Sequence, residues 1–279
     1  MTNHFIMVNE LVKTYGAGDQ QVTAVDHVSF HVERGEFIGI MGASGSGKTT
    51  LLNMLSTIDT ISEGQVFYSR AAAVSKSRDG EEDSVCRQDL FWDISRMNEE
   101  ELTDFRRENL GFVFQDYNLL DTLTIRENIM LPMALNSEKG GSKKKIEDRV
   151  NEVADALHIL GILERFPYEV SGGQKQRAAC ARALVKDPRL IFADEPTGAL
   201  DSRSSAMLLD TLRVMNEEMG ATILMVTHDV FSACYCGRIL FLKDGKICAE
   251  LKKAGMSKRE YLNLILDRQS ELGRDMDAE

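Results

Sequence analysis

The chain has 279 residues, 43% of them hydrophobic, enough for one large domain or a core with a smaller appended lobe. Its 33 lysines and arginines face 44 aspartates and glutamates, a formal charge of −11 that argues against broad nucleic-acid binding, which rests on neutralising phosphate. No stretch approaches the roughly 18 to 20 apolar residues of a spanning helix, and no signal-peptide pattern opens the chain, so a cytosolic location is expected.

Along the chain, Phe5–Val12 reads as a strand, and Val28, Phe30 and Val32 alternate with polar residues at period two. After a turn at Arg34-Gly35-Glu36, the apolar run Phe37–Met41 predicts a strand buried on both faces, followed by a glycine-rich loop and a helix from about Lys48. Gln65–Tyr68 reads as another strand. The polar, aperiodic stretch Ser69–Asp89 then predicts a solvated insertion. Asn98-x-x-Glu101 is a capping-box start for a helix towards Arg107, and Gly111–Phe114 predicts a strand.

Thr124-x-x-Glu127 opens a further helix. Ser142 is positioned to cap an amphipathic one with Ile146, Val150, Val153, Ala154 and Leu157 on one face. Ser171 caps a helix through Leu184, Leu190–Ala193 and Thr222–Val226 predict buried strands, and Asp244-Gly245 marks a hairpin between Arg238–Leu242 and Lys246–Glu250. Ser257-x-x-Glu260 opens the last helix, carrying Tyr261, Leu262, Leu264 and Ile265. Strands alternating with helices around a glycine loop indicate an α/β fold. The five scattered cysteines are expected to be free thiols, with the Cys234/Cys236 pair structural; His4, His27, His31 and His158 also read as structural.

Two motifs carry chemistry. Gly42-Ala43-Ser44-Gly45-Ser46-Gly47-Lys48-Thr49, continued by Thr50, matches the phosphate-binding loop. Its backbone N–H groups must turn inward around an anionic triphosphate, and the following helix N-terminus adds partial positive charge. Lys48 is expected to reach the β- and γ-phosphates and Thr49 to ligate Mg2+. In Leu190-Ile-Phe-Ala-Asp194-Glu195, two carboxylates emerge at the end of a buried strand, where ligands of parallel α/β sheets bind. Asp194 is expected to hold Mg2+ through water and Glu195 to act as general base. The competing reading is a strand end with two solvated acids.

With these two motifs, Ser171-Gly172-Gly173-Gln174 resembles the signature of ABC transporter ATPases, with Val170 standing as a mild departure at the head of the usual pattern. An ordinary helix cap is the competing reading. The resemblance runs from about Phe5 to Glu250 and implies a P-loop NTPase (RecA-like) core with an antiparallel β subdomain and a helical subdomain at about 116–185. A helical extension is expected over 251–279, and the insertion at about 69–89 departs from the family pattern. The resemblance further implies that Tyr15 stacks on adenine and that Gln115 contacts Mg2+ and water. It also implies that Gly198-Ala-Leu-Asp201 touches an opposite subunit and that His228 contacts the γ-phosphate.

The implied cofactors are ATP and Mg2+. The implied partners are an integral membrane permease at the cytoplasmic face of the membrane and a second copy packed head-to-tail. The alternative, a soluble ABC ATPase acting on nucleic acid or ribosomes, usually carries paired ATPase domains, a coiled coil or basic extensions, none of which is visible. Glu101–Arg107, Gly111–Thr124 and Asp194–Asp201 look like the macrolide-exporter and lipoprotein-release group. Gln115-Asp116 and Leu120-Asp121 look most like the bacitracin-type antimicrobial-peptide resistance ATPases.

Overall fold

The structure, a computed structural model, describes residues 4–70, 91–114, 117–134, 143–198 and 200–274. Gln115, Ser142, Ala199 and positions 71–89 of the polar stretch lie outside the described residues. The chain begins with β1 (His4–Tyr15), β2 (Val22–Glu33), β3 (Phe37–Met41), α1 (Lys48–Leu55), β4 (Glu63–Ser69) and β5 (Phe91–Asp93). It continues through α2 (Glu99–Asn109), β6 (Leu110–Phe114), α3 (Ile125–Ala134), α4 (Lys143–Ala156), α5 (Gly172–Leu184) and β7 (Leu190–Asp194). The last elements are α6 (Ser202–Glu217), β8 (Ile223–Thr227), α7 (Val230–Ala233), β9 (Arg238–Lys243), β10 (Lys246–Lys252) and α8 (Lys258–Arg274).

Two sheets form. One is antiparallel in the order β2-β1-β4-β5; the other runs β10-β9-β3-β8-β7-β6. In the second, β9, β3, β8, β7 and β6 are mutually parallel and β10 returns antiparallel along β9. The Asp244-Gly245 hairpin forms as expected, with both residues at positive φ (48° and 77°), the requirement of a tight primed turn.

The central strands are apolar without interruption because each of their faces meets a different core. Ile38, Ile40, Leu190, Phe192, Leu224, Val226, Leu240 and Leu242 face one cluster, shared with the antiparallel sheet, α1 and Phe105 of α2. The intervening Phe37, Met41, Ile191, Ala193, Ile223, Met225, Ile239 and Phe241 face the other, shared with α3, α4, α5, α6 and α8. Period two thus divides each strand between two layers. The stretch between β6 and β7 is helical among the described residues, and α5 packs against α3, α4 and α6.

Local chemistry fixes several helix starts. Asn98 and Glu101 form the anticipated capping box on α2, and Ser171 and Gln174 form one on α5. On α4, Val150, Val153 and Ala154 are buried as their spacing requires. Not anticipated above are the three-residue β5, too short to show a period, and α6. The latter is capped by Asp201, which accepts from Ser204 N, and buries Leu208, Leu209, Leu212 and Met215 at helical spacing.

Candidate nucleotide site

Strand register gathers the expected residues at one edge of the parallel sheet. Met41 is level with Thr227, Asp194 with Val226, and Phe114 with Asp194. The segments beginning at Gly42, Glu195 and His228 therefore leave the same end of neighbouring strands, the position expected of an α/β ligand site.

The loop 42–47 is held tightly by its surroundings. A Cβ on Gly42 would lie 2.2 Å from the Leu242 carbonyl oxygen, and one on Gly47 would lie 2.1 Å from that of Ala24. Gly47 also sits at φ 97° as the N-cap of α1, so glycine is required there on both counts. The β9–β10 turn braces the loop, with Gly245 N donating to Ser46 O at 3.1 Å. Ser46 Oγ is buried without a hydrogen-bond partner. The Lys48 ammonium donates to Ala43 O at 2.7 Å and stands near Glu195 and Asp194. Burial lowers its pKa, opposed by those two carboxylates.

Across the loop, Asp194 hydrogen-bonds Thr49, while its Oδ1 is buried without a partner. Burial raises its pKa and the Glu195 charge adds to this, with Lys48 and Thr49 opposing. An orphaned carboxylate oxygen beside a threonine hydroxyl, at the mouth of a phosphate loop, is a donor set suited to a hard divalent cation such as Mg2+. Glu195 adopts φ 41°, a left-handed conformation that costs a non-glycine residue energy and that clusters at functional sites. Its amide donates to Val226 O at 2.9 Å, and its Oε1 lies 3.1 Å from His228 Nδ1.

The backbone around His228 is pinned. Asp229 caps α7 by accepting from the amides of Phe231 and Ser232, and Ser232 Oγ lies 3.0 Å from Thr197 Oγ1 in a buried contact. That contact ties the turn after Glu195 to the turn after His228.

Tyr15 ends β1 with an exposed ring, and its hydroxyl donates to Asp59 Oδ2 at 2.6 Å and also reaches Thr50. Lys13, nearly buried, donates to Asp59 Oδ1 at 2.6 Å and lies 5.0 Å from the Tyr15 ring centroid. Burial pushes the Asp59 carboxyl up, but hydrogen bonds from Lys13 and Tyr15 outweigh it and hold the carboxyl below its usual range. Lys13 and Asp59 were not anticipated as part of the site. The available signal was a lysine inside the otherwise apolar end of a strand.

Ser171, Gly172, Gly173 and Gln174 form a separate group at the N-terminus of α5. Ser171 N donates to Gln174 Oε1 at 2.9 Å and Gln174 N donates to Ser171 Oγ at 3.3 Å, so the ordinary capping function is real. Ser171 and Gly172 remain exposed, leaving the helix N-terminus open to a further anion. Gln115 lies outside the described residues.

A family model described as ABC transporter matches residues 25–198. The chain belongs to the ABC transporter family. It is 44% identical over 261 residues to the bacitracin export ATP-binding protein BceA of Halalkalibacterium halodurans, covering 94% of each chain. It is 46% identical over 272 residues to the uncharacterized ABC transporter ATP-binding protein YvcR of Bacillus subtilis, covering 97% of this chain and 95% of that one. Among solved structures, the dimeric post-hydrolysis state of the ATP-binding cassette MJ0796 bound to ADP and Pi matches with a TM-score of 0.70 at 35% identity. The match covers 88% of this chain and 98% of the other. The chain is thus an ATP-binding, ATP-hydrolysing subunit of an ABC transporter, and the reading as a soluble, non-transport ATPase is disfavoured. No helix among the described residues is long and apolar enough to cross a membrane.

Proposed function

We propose that this chain powers an ABC transporter for antimicrobial peptides of the bacitracin type, with a large permease, at the cytoplasmic face of the membrane. The extensive identity to a bacitracin export ATP-binding protein supports the peptide class. The observation that carries the hydrolytic part is the convergence of the 42–49 loop, Asp194, Glu195 and His228 at one sheet edge.

In this reading the 42–47 amides and Lys48 bind the phosphates, and Tyr15, held by Asp59, Lys13 and Thr50, offers its ring to adenine. Thr49, Asp194 and Gln115 would hold Mg2+, which would supply charge neutralisation for the phosphates when bound. Glu195 takes a proton from the attacking water, and His228, within hydrogen-bond reach of it, orients that carboxylate and contacts the γ-phosphate. Ser171–Gln174 close over the nucleotide of a second copy packed head-to-tail, with the 198–201 loop at the contact. The chain then divides into an ATPase domain over 1–250, with its helical lobe at about 116–185, and a C-terminal extension over 251–279.

Deletion of the gene in its host, followed by measured sensitivity to bacitracin-like and lantibiotic-like peptides, tests the reading. The expected result is increased sensitivity, restored by the wild-type gene but not by Glu195→Gln. Unchanged sensitivity across both peptide classes, with a defect in an unrelated uptake process, would overturn the peptide assignment.

A further inference from the structure

At the opposite end of β1 from Tyr15, the strand register assembles a group that the nucleotide site does not use. His4 pairs directly with Glu33 across the β1–β2 ladder. His31 lies two residues before Glu33 on the same strand, so period two places it on the same face. The His4 and His31 rings pack with centroids 4.2 Å apart at 49°. One ligand atom from each of His4, His31 and Glu33 falls within 4.8 Å of the others, the one such group of three among the described residues.

His4 Nδ1 is buried without a hydrogen-bond partner. Packing two imidazoles together with such a nitrogen is unfavourable unless something accepts its lone pair or proton. Metal bonds of about 2.0–2.1 Å in a tetrahedron place ligand atoms roughly 3.3 Å apart. The atoms, within 4.8 Å of one another, need close up by at most about 1.5 Å, through rotation of the two imidazoles and of the exposed Glu33 side chain.

The surroundings fit a cation site. A surface cavity of about 490 Å³ is lined by His31, Glu33, Glu36 and Arg238 and gives access from solvent. The cations that also line it are engaged: Lys252 lies 3.4 Å from Glu250, Lys253 donates to Cys234 O at 3.2 Å, and Arg238 is paired with carboxylates. Arg238 bonds both Glu36 oxygens at 2.5 and 2.9 Å and lies 3.6 Å from Glu250. Its remaining bond, to His31 O at 2.5 Å, fixes the strand that carries two of the three ligands.

We propose that His4, His31 and Glu33 form a zinc-type divalent metal site that clips β1 to β2. Two imidazole nitrogens and a carboxylate oxygen are a three-ligand set that suits Zn2+ and leaves a fourth position for water. The clip acts on the antiparallel sheet, the layer that also presents Tyr15, and does not depend on the transported substrate.

The test is a Co2+ titration of the untagged, nucleotide-free full-length chain followed by visible absorption, with Zn2+ as competitor. The expected result is the intense absorption of tetrahedral Co2+ at one equivalent, displaced by Zn2+. His4→Gln and His31→Gln should each weaken binding roughly tenfold or more. Glu33→Gln, at an exposed position that leaves the fold intact, should weaken it measurably, and His158→Gln should leave it unchanged. Affinity unchanged in all three ligand variants would overturn the proposal, as would weak octahedral absorption only. Near-ultraviolet thiolate charge transfer, placing the metal on cysteines, would also overturn it.

Discussion

Asp194 combines two demands that oppose each other. It ends a strand buried on both faces, with Oδ1 unpartnered, so its negative charge is held at a cost that burial and Glu195 both increase. A raised carboxyl pKa in the folded state means that the group favours folding at low pH. That contribution is lost as pH rises through the raised value. At neutral pH the ionised form therefore destabilises the nucleotide-free chain. Asp194→Asn is predicted to raise the nucleotide-free Tm by up to about 2 °C, a small gain because solvent screens the half-buried carboxylate. The gain should shrink towards zero as pH falls into the ordinary carboxylate range. The same variant should lose Mg2+ affinity roughly 10–100-fold. Thermal melts across pH with a Mg2+ titration check both; a lower Tm at neutral pH would contradict the account.

At this scale the sequence was most informative where chemistry is local. The 42–49 loop is readable because its glycines and Lys48 form one contiguous pattern, and the Ser171–Gln174 cap because its hydrogen bonds close within a few residues. The Tyr15–Asp59–Lys13 group was not, because its partners lie more than 40 residues apart in the chain. His4 and His31 read as structural for the same reason: the register that brings them together is a property of the folded sheet.

Among the elements, the long apolar strands were legible, and the two-core arrangement explains why they carry no polar interruption. α6 shows a helical apolar spacing but starts from a lone Asp201 cap without a capping box, a weaker local start signal than those of α2 and α5. α8 is the element whose sequence says least about its place. Its Tyr261 and Ile265 are fully buried in the core shared with α3–α6, and Tyr261 Oη donates to Leu251 O at 3.4 Å. Burial raises the Tyr261 pKa well above its ordinary value. Tyr261→Ala is predicted to destabilise the chain by about 3–5 kcal/mol, as loss of a large buried aromatic does. Urea unfolding checks this. A loss below about 1 kcal/mol would mean that α8 contributes little to the core.

For the whole molecule, the proposed function requires that the chain carry two halves of a nucleotide site in different layers. The phosphate loop, Asp194, Glu195 and His228 stand at the sheet edge, while Ser171 and Gln174 bond each other at the start of a helix of the other layer. On the proposed function, ATP would shift the balance towards a closed pair of chains through its extra contacts there, and hydrolysis would remove that bias. Glu195→Gln keeps the loop, Lys48 and the cap intact while removing the proposed base, so it is expected to isolate binding from turnover. The most direct measurement is sedimentation velocity of Glu195→Gln with and without Mg-ATP, beside Glu195→Gln carrying Lys48→Ala. The predicted result is a monomer without nucleotide, a dimer with Mg-ATP, and no dimer when Lys48 is also removed. A Glu195→Gln chain that binds ATP yet stays monomeric, even with its permease present, would contradict the two-chain site.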